Sequence, residues 1–232
     1  MDREFLDELV AIGIRAPEWT ADALWGAYQA TESLEQRRAF AVRILAEFAQ
    51  AAELFCLLVL AVRQRSERPL VLTFVEHGTE EVLQLITELT RLTKPITVGQ
   101  LLHAPEPRQD TEQGRVFEAV TAHGRELVAT FGLERGVIRR FYSKSKHGFT
   151  IVRSINLNGP PFFGPSPDMG VWAIYQAKPE NGTPPGRGEM DVAGFPATPG
   201  LVEKMAGSCR SLSIASLALA RLIGAGIQQR VL

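Results

Sequence analysis

A chain of 232 residues is long enough to bury a full core and reads as one domain. Hydrophobic residues make up 45% and charged residues 22%, the balance of a globular protein, and the formal charge of −1 excludes a generally basic nucleic-acid binder. Two cysteines, Cys56 and Cys209, sit in apolar helical patterns with no second Cys or His at ligand spacing. They read as small buried hydrophobes in a reducing compartment, with no metal site.

The N-terminus, Met1-Asp-Arg-Glu-Phe-Leu-Asp-Glu, is polar and acidic, unlike a signal peptide. Residues 2–12 have the pattern of a short amphipathic helix, which Ala16-Pro17-Glu18-Trp19 should break. Thr20 then reads as an N-cap for a helix to about Ala30, with Asp22 in its first turn. Ser33 reads as the N-cap of a long helix from Leu34 to about Arg65, free of Gly and Pro and rich in helix formers. Its middle, Phe48 to Val62, is apolar on nearly all sides, as in the central helix of a bundle. The run Leu54–Val62 is too short to span a bilayer and Arg63 follows it, so the chain is expected to be cytoplasmic and not in a membrane.

Glu53 lies in this apolar stretch. Two readings stay open for it. It belongs to a thin exposed stripe with Glu47 and Gln50, or it is the ion-pair partner of a basic residue in the stretch Arg135–Gly148, since an unpaired carboxylate buried there costs several kcal/mol.

Leu70 to Val75 reads as a short strand or extended connector after Pro69. Thr79 caps a helix to about Leu92, with Val82, Leu85, Ile86 and Leu89 on its apolar face, and Thr97 to Leu102 forms one helical turn. Residues 104–110 form a Pro-containing loop, and a long helical region runs from about Thr111 to His147. Beyond Gly148 the periodicity changes. Phe149–Ile155 and Val171–Tyr175 are rich in β-branched residues and should pair as a small antiparallel sheet across a proline-rich loop. Residues 178–200 read as a second loop, and Thr198-Pro199 opens a C-terminal helix to about Gln229.

The greatest concentration of charge is Arg135 to Arg153, with six Lys or Arg residues and no Asp or Glu. In a helix, Val137, Ile138, Phe141 and Tyr142 face a core, while Arg140, Lys144 and His147 line up along another face. Gly148 suits a left-handed helix end. No P-loop, nucleophile elbow, H-E-x-x-H or paired C-x-x-C occurs. His77, His103 and His123 read as surface or helix-end residues, and Trp19, Trp25 and Trp172 as packing residues.

The pattern Arg140-x6-His147, with Lys-His-Gly at its end and Ser143 where one bacterial variant has Asn, resembles the HEPN superfamily of helical nucleotide-binding and RNA-cleaving domains. The motif covers about ten residues, and the order of helices agrees with the family over most of the chain. The resemblance implies a mainly α, antiparallel helical bundle of residues 1–232, with 149–200 as a β-hairpin and loop elaboration before the last helix. It also implies metal-independent RNA cleavage with no cofactor. In that chemistry a 2′-hydroxyl attacks the adjacent phosphate, His147 is the acid/base, and Arg140 clamps the phosphate. Arg139, Ser143, Lys144 and Lys146 would contact RNA or nucleotide, and a homodimer would share the site. Phe141 stands where active members carry a polar residue. The alternative is therefore a non-catalytic dimerising scaffold or regulatory module.

Overall fold

The computed structural model describes residues 2–64, 70–77, 79–90, 97–103, several positions between 114 and 122, three strand segments and 198–231. The chain is mainly helical. α1 (Asp2–Glu8) runs into a π-helical turn, Leu9–Gly13, and α2 (Ala16–Ala30) follows after two residues in helical conformation. α3 is Leu34–Gln64, α4 Leu70–Glu76, α5 Thr79–Thr90 and α6 Val98–Leu102. The C-terminal helix, α7 among the described elements, is Pro199–Val231.

Three expectations are corrected here. Pro17 does not break a helix; it lies in the first turn of α2, where its missing N–H has no partner to lose, so Thr20 is inside the helix and is not its cap. Leu70–Val75 is not extended. It forms α4, which buries Leu70 and Thr73 and sets Phe74 edge-on to Phe5 at 5.3 Å between ring centroids. That packing outweighs the β-branched preference of its valines and threonine. The segment 178–200 is not wholly a loop, because it contains β3 (Met190–Pro196).

β3 pairs antiparallel with β2 (Gly170–Gln176), from Gly170 opposite Pro196 to Gln176 opposite Met190. β2 also pairs antiparallel with β1 (Ile151–Val152), setting Val152 opposite Trp172. The strand order is β1-β2-β3.

The core is built on α3. Ala41, Ile44, Phe48, Ala52, Phe55, Cys56, Leu58 and Val59 have essentially no exposed surface. α3 packs mainly against α7 and α2, and also meets α4, α5 and α6. Small residues on α7, among them Ala206, Cys209, Ala215 and Ala220, are buried and let the helices approach closely. α3 is long and apolar enough to cross a membrane, with a mean hydropathy of 1.9 over its most apolar window, yet 67% of that window is buried within the fold. Helix ends follow local chemistry. The Gln36 N–H faces Ser33 Oγ at 3.4 Å and the Arg37 N–H donates to the Ser33 carbonyl, so Ser33 stands at the start of α3. Thr97 and Gln100 exchange side-chain and backbone hydrogen bonds at 3.2 and 3.1 Å, a complete capping box for α6.

Candidate functional site

The residues expected to carry chemistry, Arg139, Arg140, Ser143, Lys144, Lys146 and His147, lie outside the described residues, as does His123. Glu53 is described. It is half-buried on α3, it has interactions of its own, and its charge helps burial to push the Cys56 thiol upward. Any pairing of Glu53 with the basic segment lies outside the described residues.

The exposed stripe proposed for Glu47, Gln50 and Glu53 is not continuous. Gln50 is exposed, but Glu47 is only 8% exposed. It pairs with Arg43, one turn earlier, at 3.7 Å. Burial raises the Glu47 pKa, and Arg43 offsets part of that rise. The stripe failed because α3 is covered on nearly every side, so a three-residue periodicity of polar groups did not mark a solvent face.

The densest polar node among the described residues stands at the C-terminal end of α3. The Arg63 side chain, 9% exposed, bridges to Glu88 of α5 with Nη1–Oε2 2.9 Å and Nη2–Oε1 3.0 Å. It also donates from Nε to the Leu101 carbonyl at 2.8 Å and from Nη2 to the Gln100 carbonyl at 2.8 Å. A guanidinium has five N–H donors, and four hydrogen bonds are made here, so Arg63 is committed to joining α3, α5 and α6. The hydrogen bond from Arg63 lowers the Glu88 pKa, and the nearby charges of Arg63 and His103 add to it. Sequence reading took Arg63 only as a charge following an apolar run. The available signal was its place just past that run, where a cation also meets the negative end of the helix dipole.

His77 and His103 each stand one residue past a helix. His77 Nε2 meets Gln64 Nε2 at 2.6 Å, tying α4 to the end of α3. His103 caps α6 with φ of 51°, the left-handed conformation that closes a helix end, and its N–H donates to the Gly99 carbonyl. No group of three His, Cys, Asp or Glu residues able to hold a metal occurs among the described residues. Cys56 and Cys209 are buried free thiols, and burial pushes both pKa values far above the ordinary thiol range, which keeps them unreactive.

Of the tryptophans, Trp25 packs as expected, stacked on Tyr28 at 5.2 Å, and Arg37 lies 6.0 Å from the Tyr28 ring centroid. Trp19 does not: it is 52% exposed. The side chain of Trp172 is outside the described set. No family model, curated protein or solved structure matches this chain.

Proposed function

We propose that this protein binds RNA or nucleotide through the basic segment around Arg140 and His147, on a HEPN-like antiparallel bundle, and cleaves RNA without a metal. The observation that carries the reading is the segment 135–153, with six basic residues, no acidic one, and Arg140, Lys144 and His147 in helical register. The mainly helical character of the chain is consistent with it. Two arginines elsewhere are already engaged, Arg63 with Glu88 and Arg210 with Asp22, which makes neither a ready phosphate clamp.

In the proposed step the RNA 2′-oxygen bonds to the adjacent phosphorus and the 5′-oxygen of the next nucleotide leaves. His147 accepts the 2′-hydroxyl proton, Arg140 holds the charge on the phosphoryl oxygens, and the leaving oxygen takes up a proton. Lys144, Lys146, Arg139 and Ser143 hold the backbone, and a homodimer shares the site. Cleavage of RNA in EDTA tests the reading. His147→Ala and Arg140→Ala should each lower the rate by about 100-fold or more. Equal cleavage by the unaltered chain and His147→Ala removes His147 from the mechanism. RNA affinity should fall with salt, and replacing Lys144 or Lys146 by Ala should reduce the slope by about one each. Phe141 favours a second reading, a non-catalytic regulatory or scaffold module, which would bind without cleaving.

A further inference from the structure

We draw no further inference here: the strongest candidate, the surface patch on α2 where Trp19 is exposed one turn before the Asp22–Arg210 ion pair to α7, carries nothing because nothing in the structure shows what covers it.

Discussion

Two carboxylates in this fold respond to acid in opposite senses, and the reason lies in their immediate neighbours. Glu88 is held below the ordinary carboxylate value by Arg63. Its share of stability is complete above the unfolded-state pKa and is lost as pH falls through the lowered folded value. Glu88→Gln should therefore flatten the acid limb of stability measured by urea unfolding. Glu47 is raised by burial. Stability linked to it is complete below the unfolded-state pKa and is lost as pH rises through the raised folded value. Glu47→Gln should raise the neutral-pH melting midpoint by roughly 2–4 °C, a gain that shrinks on acidification. Removing Arg63 acts more severely. Arg63→Ala leaves two carbonyls and the Glu88 carboxylate without their donor, at a cost of about 2–4 kcal/mol in urea unfolding. Arg63→Lys should recover less than half of that, because an ammonium cannot reproduce the planar fork.

At the scale of elements, α3 shows where sequence pattern suffices. Its lack of Gly and Pro, its composition and the Ser33 start define a helix that the structure describes from Leu34 to Gln64; the expected end at about Arg65 lies outside the described residues. Phe55 sits at its centre with no exposed surface. Phe55→Ala should cost about 3–5 kcal/mol, read as a lower denaturation midpoint with an unchanged slope. α6 was legible for a similar reason, since Thr97 and Gln100 are spaced to cap each other. α4 was misread because seven residues carry too little periodicity, and contact with Phe5 settles their conformation from outside. β3 was missed because Met190–Pro196 contains Asp, Gly and Pro, residues that mark turns locally, while its backbone partners lie in β2. Pro17 was misassigned because proline breaks a helix interior but suits its first turn, and sequence alone leaves that position open.

At the scale of the whole molecule, α2, α3 and α7 form the packed centre, joined across long sequence separation by contacts such as Arg210 with Asp22. The candidate RNA site rests on residue types and spacing, and it was legible in sequence because six basic residues without an acid stand out in any conformation. Exposure could not be read there. Nothing in Trp19 itself indicates that it protrudes, because that depends on which helix lies alongside.

The sequence by itself determined the predominance of helix, the extent of the apolar α3, the ends set by Ser33 and Thr97, and the basic segment around Arg140 and His147. These are properties of composition, capping and short-range periodicity. Only the tertiary structure decided that Glu47 is buried, that Arg63 joins three helices, that Leu70–Glu76 is helical, and that Trp19 is exposed. Burial and partnership depend on residues distant in the chain, and no local pattern encodes which of them arrive.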